Sequence, residues 1–379
     1  MRLLSALAAL FFAFALPAQA QHAQWDNVDR IVAIGDLEGD YEKFADMLRQ
    51  AGLIDAQGNW SGGATHLVQL GDIPDRGPNT RMIFDHLIRL EPQARRAGGR
   101  VHALIGNHEA MNVEGDLRYV HPGEYAAFVD RRSERRRREF YLQTLNHLRR
   151  NPPPSGVPTF DDAFRAQWEA EHPLGYVEHR LAWAPNGQYG RWITSHDAVI
   201  RINDTLFLHA GIGPAFATAP RDAMNEAIRA ALRGTPSPTY PDIVTHQQGP
   251  LWYRGLATSA EDAERANLDA VLAQHGVRRI VIGHSKVTST VLPRFEGRVI
   301  ITDIAVPSGH TDPHAFLIIE NGQPITIHRG QRVPIAAETA ELTCAYLRQI
   351  AALDGNTGPV ARRAEQCSQP PATEPALTD

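Results

Sequence analysis

Five short segments of this 379-residue chain set potential metal ligands beside glycine: GDLEGD at 35–40, GDIPDRG at 71–77, GNHE at 106–109, HAG at 209–211 and GHS at 283–285. Together they offer the carboxylates of Asp36, Glu38 and Asp72, the amide of Asn107, and the imidazoles of His209 and His284. That mixture of oxygen and imidazole donors suits a pair of hard-to-borderline divalent cations. Glycine beside each donor lets the backbone turn sharply and leaves room for an ion and a substrate. Alone, each segment has a duller explanation. Asp72 and Asp75 could simply cap a following helix, and a lone histidine is more often a satisfied core residue. Five in succession make a metal site the stronger reading.

The elements needed to hold these segments are also visible. Stretches 31–34, 65–70 and 101–105 are β-rich and run directly into the first three segments. Helical periodicity follows at 41–50 and 79–90. Strand, turn and helix in repetition predict βαβ units and a layered α/β domain, whose polar strand ends gather at one edge of the sheet. The second half continues with strands at 198–201 and 205–208, the latter entering His209. Helices are predicted at 221–233 and 260–275, then a strand at 279–282 entering His284 and closing strands at 299–303, 315–319 and 325–328. Residues 122–150 read as helical until NPPPSGVP at 151–158 breaks the pattern, and the stretch to 188 reads as an irregular helical insertion over the site. The polar tail from about 355 is predicted to be disordered. His310 and His314 fall beyond the matched ligand segments and are read as bystanders.

The segments resemble those of the calcineurin-like metallophosphoesterases, specifically the phosphoprotein phosphatase branch with its GDxHG, GDxVDRG, GNHE, HAG or HGG, and late histidine. GNHEAMNVEGDLRYVHPGEY at 106–125 and PLWYRG at 250–255 look most similar to the Shewanella-like protein phosphatases. The resemblance covers about 31–328. It implies a layered β-sandwich flanked by helices, with two divalent metal ions, manganese foremost and iron, zinc or magnesium as alternatives. It implies that Asp36 binds the first ion, Asp72 bridges both, and Asn107, His209 and His284 bind the second. A metal-bridging hydroxide is then the nucleophile, Arg76, Arg254 and Asn107 meet the phosphate, and His108 is the general acid oriented by Asp75. Glu38 departs from the pattern, standing where the family has a histidine ligand; a glutamate there can still coordinate and favours harder ions. The implied activity is hydrolysis of phosphomonoesters on a phosphorylated protein, peptide or small molecule. Two alternatives stay open: a phosphoanhydride or diester hydrolase acting on compounds such as dinucleoside polyphosphates, and a non-catalytic metal-binding homologue.

Composition limits the rest. A formal net charge of −5 gives no general attraction to nucleic acid or anionic membrane. The basic run RRSERRRR at 131–138 reads as the solvated face of a helix. Arg2, the apolar stretch 3–16 and Ala18-Gln19-Ala20 form the layout of a cleaved secretory signal over 1–20. The expected division is therefore a signal peptide, a catalytic domain at 21–340 and an extension at 341–379. Export, to a periplasm or beyond, and no stable membrane insertion of the mature chain go with it. In an oxidising compartment Cys344 and Cys367 are expected to form a disulfide.

Overall fold

The computed structural model describes residues 23–304 and 314–367; the expected signal peptide and His310 lie outside them. The described strands, in chain order, are β1 (Gln24–Trp25), β2 (Arg30–Ile34), β3 (His66–Gln69), β4 (Arg100–Ala103), β5 (Val199–Ile202), β6 (Thr205–Leu208), β7 (Arg279–Ile282), β8 (Leu292–Arg294), β9 (Val299–Ile301), β10 (Ala315–Glu320), β11 (Gln323–His328) and β12 (Gln331–Pro334). They form two six-stranded sheets, ordered β1-β5-β6-β7-β9-β8 and β12-β11-β10-β2-β3-β4. The expected mixed α/β architecture, two sheets flanked by helices, is therefore present.

Parallel pairing fixes where the functional segments emerge. β2, β3 and β4 run parallel, as do β6, β7 and β9, so their C-terminal ends lie side by side within each sheet. The strand residues Ile31 to Ile34, Leu67, Val68, Leu206 to Leu208 and Ile280 to Ile282 are buried without alternation, as strands covered on both faces must be. The helix Thr80–Arg96 buries Ile83, Phe84, Leu87, Leu90 and Ala94, one stripe of its surface, and packs on β4. Each of its larger side chains contributes roughly 1.5–3 kcal/mol of burial, enough to anchor the helix and the segment 71–77 before it. The helix Tyr41–Gln50 begins at Asp40, whose carboxylate accepts from the Lys43 N–H at 3.0 Å; the last residue of GDLEGD is thus also a helix cap.

Some expectations need correction. The predicted helix at 122–150 is two helices, Pro122–Ala127 and Ser133–Arg150. Between them the Asp130 N–H donates to Ser133 Oγ, and Asp130 Oδ1 accepts from the Arg132 N–H, local bonds that compete with a continuous helix. The closing strand predicted at 299–303 ends at Ile301. β1, β8 and β12 were not foreseen, being two to four residues long with no distinctive pattern. The tail is ordered further than expected: Gly358–Gln366 is a helix that buries Val360, Ala361 and Ala364 against Ala340–Leu353, and the Cys344–Cys367 disulfide joins them. Residues 368–379 lie outside the described part. The basic run is exposed except at Ser133, Arg136 and Arg137, and partly ion-paired, Arg136 to Glu178 at 2.7 Å and Arg137 to Glu169 at 3.7 Å. No helix among the described residues is long and apolar enough to cross a membrane.

Candidate active site

The site is built from loops held under strain. Glu38, Asp72, Asp75, Arg76 and His284 all have left-handed backbones, with φ of 50°, 55°, 76°, 61° and 62°. For residues carrying a Cβ this costs on the order of 1 kcal/mol or more each, and such outliers persist only where their surroundings over-determine them. Here the loops interlock. The N–H groups of Leu37 and Glu38 both donate to the Asp72 carbonyl at 3.0 Å, and that of Gly39 to the Ile73 carbonyl at 2.8 Å. Gly39 and Gly77 let the two loops touch backbone to backbone, since a Cβ on either would meet a carbonyl oxygen at 2.5 Å.

One buried residue ties two segments together, 71–77 and 106–109. Glu109 Oε2 accepts from the N–H groups of Asp72 at 2.9 Å and Gly106 at 2.8 Å, and Oε1 accepts from Ile73 at 2.8 Å. Burial first, and then the charge of Asp72, pushes the Glu109 pKa up to about 7. Sequence reasoning quoted Glu109 within GNHE but gave it no role. Its position, the first helical turn after a strand-end ligand, was the available signal.

Around Asp72 four atoms converge. His209 Nε2 lies 2.9 Å from Asn107 Oδ1, 3.0 Å from His284 Nδ1 and 3.3 Å from Asp72 Oδ1. His209 Nδ1 faces the Leu70 carbonyl at 2.9 Å, which assigns the proton to that nitrogen and leaves an Nε2 lone pair facing the others. The Asn107 amide nitrogen points to Met111 Sδ at 3.9 Å, so the oxygen turns inward. Acceptors aimed at acceptors, all buried, are what a cation requires; Asp72, His209 and His284 alone place one donor atom each within 4.8 Å of one another. The donor set therefore fits a divalent metal ion. Without an ion, a proton on His209 carries the positive charge that Asp72 calls for. Burial opposes charge on His209, but Asp72 beside it pushes the pKa up to about 10; Asp72 is held well below the usual range against its own burial by His209 and His108. Burial, then His209, pushes His284 down to about 2.

Beside this cluster the expected acid and phosphate groups line one cavity of 420 Å³, bounded by Asp36, Glu38, Asp72, Arg76, Asn107, His108, Arg254, His284 and Lys286. His108 Nδ1 contacts Asp75 Oδ2 at 2.5 Å, while Nε2 stands 3.7 Å from Asp72 Oδ2. Asn112 Nδ2 donates to Asp75 Oδ1 at 3.0 Å and to the His108 carbonyl at 3.0 Å, locking the pair. Burial opposes charge on His108, but Asp72 and Asp75 raise its pKa on balance. Glu124 positions Asp75 by accepting its N–H at 3.1 Å and the Thr80 hydroxyl. Arg254 Nη1 donates to the His284 carbonyl at 2.7 Å and to Ser285 Oγ at 3.2 Å. Glu38 Oε1 accepts from Arg76 and from Lys286 Nζ, the latter at 2.6 Å. Lys286, two residues beyond His284, was missed; no glycine or ligand motif marks it. Asn112 and Glu124 fall within the run 106–125 but were given no role, because they lie on helices beyond GNHE and not at a strand end. His314 does not line this cavity and contacts Asp46 at 2.5 Å.

Residues 29–287 match the family described as calcineurin-like phosphoesterase. The chain belongs to that family. Among its relatives, an uncharacterized protein of Schizosaccharomyces pombe is 31% identical, covering 80% of this chain and 82% of the relative. Shewanella-like protein phosphatase 2 of Arabidopsis thaliana is 29% identical over 76% of this chain and 74% of its own. A solved structure, the cold-active protein-tyrosine phosphatase of a psychrophilic Shewanella species, superposes with a TM-score of 0.61 at 28% identity and 82% coverage of each chain. With the family and these phosphatase homologues, the chain is a phosphoester hydrolase.

Proposed function

We propose that this phosphoesterase is a dinuclear, metal-dependent phosphomonoesterase acting on phosphorylated proteins or peptides, with small phosphoesters as further substrates. The observation that carries this reading is the buried convergence of Asp72, Asn107, His209 and His284 beside the His108–Asp75 pair. Asp36, Glu38 and Asp72 would hold a first ion, and Asp72, Asn107, His209 and His284 a second. Two divalent ions there would neutralise phosphoryl oxygens and acidify a water molecule. Manganese suits a first site made of carboxylates.

The chain's own residues do the rest. Arg76 and Arg254, on opposite loops of the cavity, draw in the phosphate dianion, and guanidinium geometry holds two of its oxygens at once. The Asn107 amide oxygen faces His209 in the ion site, and its amide would meet the phosphate from that edge of the cavity. As the phosphorus–oxygen bond to the leaving group breaks, His108 gives its cavity-facing Nε2 proton to that oxygen. Asp75, fixed by Asn112 and Glu124, keeps the imidazole oriented and favours its charged form. A protein that only binds metal has no use for such an acid. The names of the relatives, protein phosphatase and protein-tyrosine phosphatase, support a phosphoprotein or phosphopeptide substrate.

The test is a manganese-reconstituted assay on an aryl phosphate, phosphoserine, phosphothreonine and phosphotyrosine peptides, and a symmetrical dinucleoside polyphosphate. Hydrolysis of the aryl phosphate and at least one peptide is expected. Turnover of the dinucleotide alone would replace this reading with the phosphoanhydride one. We also propose export; the sequence of 1–20 and the Cys344–Cys367 disulfide support it. Cell fractionation of the full-length chain, with the mass of its mature N-terminus, checks it.

A further inference from the structure

Glu38 sits at the position from which the first ion would take a ligand, yet its Oε1 already accepts from both Arg76 and Lys286. That oxygen is committed to two cations, so Glu38 has only Oε2 left to offer an ion. Another carboxylate nearby is in the opposite condition. Asp303 is 2% exposed, and its Oδ2 has no hydrogen-bond partner among the described residues. A buried carboxylate oxygen left in that state is costly unless a group beyond the described residues, such as a cation, meets it.

The topology puts Asp303 where a ligand belongs. β9 pairs in parallel with β7, so the chain beyond β9 emerges beside Gly283 and His284. Thr302 fastens it there, its N–H donating to the Ile282 carbonyl at 2.8 Å and its Oγ1 to the same oxygen at 3.1 Å. On the other side Thr302 packs so closely on Gly35 that a Cβ at Gly35 would lie 2.7 Å from the Thr302 carbonyl oxygen. The next residues along are Asp36 and Asp303, and their carboxyl groups come within hydrogen-bonding reach. Both line a cavity of 430 Å³ together with Glu38 and Lys286. Two buried carboxylates in contact repel each other unless a cation or a proton joins them. Lys286 is engaged with Glu38.

We propose that Asp303 is a ligand of the first metal ion, alongside Asp36 and Asp72, and that it contributes more to that ion than Glu38 does. This deepens the metal-dependent reading and rests on it. It also accounts for the loss of the family's histidine at 38: the carboxylate beyond β9 supplies the donor, and Glu38 instead steadies Arg76 and Lys286 at the cavity mouth.

The test measures binding rather than turnover. Full-length protein stripped with a chelator is titrated with Mn²⁺ by calorimetry, and bound metal is counted by elemental analysis after gel filtration. Wild type should bind two ions per chain. Asp303→Asn should keep the ion at His209 and His284 but lose the other, or bind it about 10- to 100-fold more weakly. Glu38→Gln should weaken that same ion by a smaller factor, and Asp303→Glu, which keeps a carboxylate, should retain both ions. An unchanged melting temperature of the metal-free variants separates lost ligation from lost fold. Two ions at wild-type affinity in Asp303→Asn, or a larger loss in Glu38→Gln, would overturn the assignment while leaving the dinuclear reading intact. A wild-type chain that binds no metal would overturn both.

Discussion

The molecule contains two pairs of buried histidines with nearly the same spacing. His209 Nε2 and His284 Nδ1 are 3.0 Å apart at the strand-end site; His102 Nε2 and His66 Nδ1 are 3.1 Å apart on β3 and β4. Their surroundings differ. The first pair faces Asp72 and the oxygen of Asn107. The second faces Trp25, whose ring centroid lies 4.3 Å from that of His102, and Arg100, which itself stacks over Trp25 at 5.6 Å. Burial, followed by Arg100, pushes His66 down to about 4, and His102 is depressed for the same reasons with His66 added. At the site, Asp72 pulls His209 the other way. Two close imidazoles do not make a metal centre. What separates the pairs is the carboxylate beside one and the guanidinium beside the other, which invite and repel a cation respectively.

Removing the carboxylate should break that distinction most severely. Asp72→Asn is expected to release metal and lower kcat by about 10³-fold or more, since the ions' charge stabilisation is worth several kcal/mol. Elemental analysis with steady-state kinetics checks this, and near-normal activity with full metal content would contradict it. His108→Asn probes the acid rather than the ions: kcat should fall by about 10²–10⁴-fold for alkyl phosphates but less for an aryl phosphate whose phenol leaves unaided. Equal losses on both would point to a structural role.

The smallest effect belongs to the other pair. The folded-state pKa of His66 lies below the 6.5 of an unfolded histidine, so the unfolded chain binds more protons between pH 6.5 and about 4. The stability this pair contributes is therefore complete above pH 6.5 and is lost as the pH falls towards 4. His66→Gln should reduce that loss by on the order of 1–2 kcal/mol, discounted because solvent reaches part of the pair. Urea unfolding of both proteins at pH 7 and pH 5 measures it, and parallel losses would contradict it.

Much of this was legible in the sequence for a physical reason. At five strand ends a glycine sits beside the residue that turns towards the site, so Asp36, Asp72, Asn107, His209 and His284 announce themselves as motifs. Residues that act from elsewhere carry no such mark. Asp303 follows β9 without a neighbouring glycine, and Lys286 and Glu124 look like ordinary surface charges. The strain at Asp72, Asp75 and Arg76 depends on Glu109 and Glu38 reaching across loops distant in the chain. The helix Gly358–Gln366 was hidden by its polar composition, because only three of its residues face Ala340–Leu353.

On this reading carboxylates, rather than histidines alone, define the metal centre. Crystals of the protein soaked in Mn²⁺, with anomalous diffraction recorded above the manganese edge, test it most directly. One anomalous peak is expected among Asp72, Asn107, His209 and His284, a second beside Asp36 and Asp72, and none between His66 and His102. A peak at His66 and His102, or an empty site at His209 and His284, would contradict it.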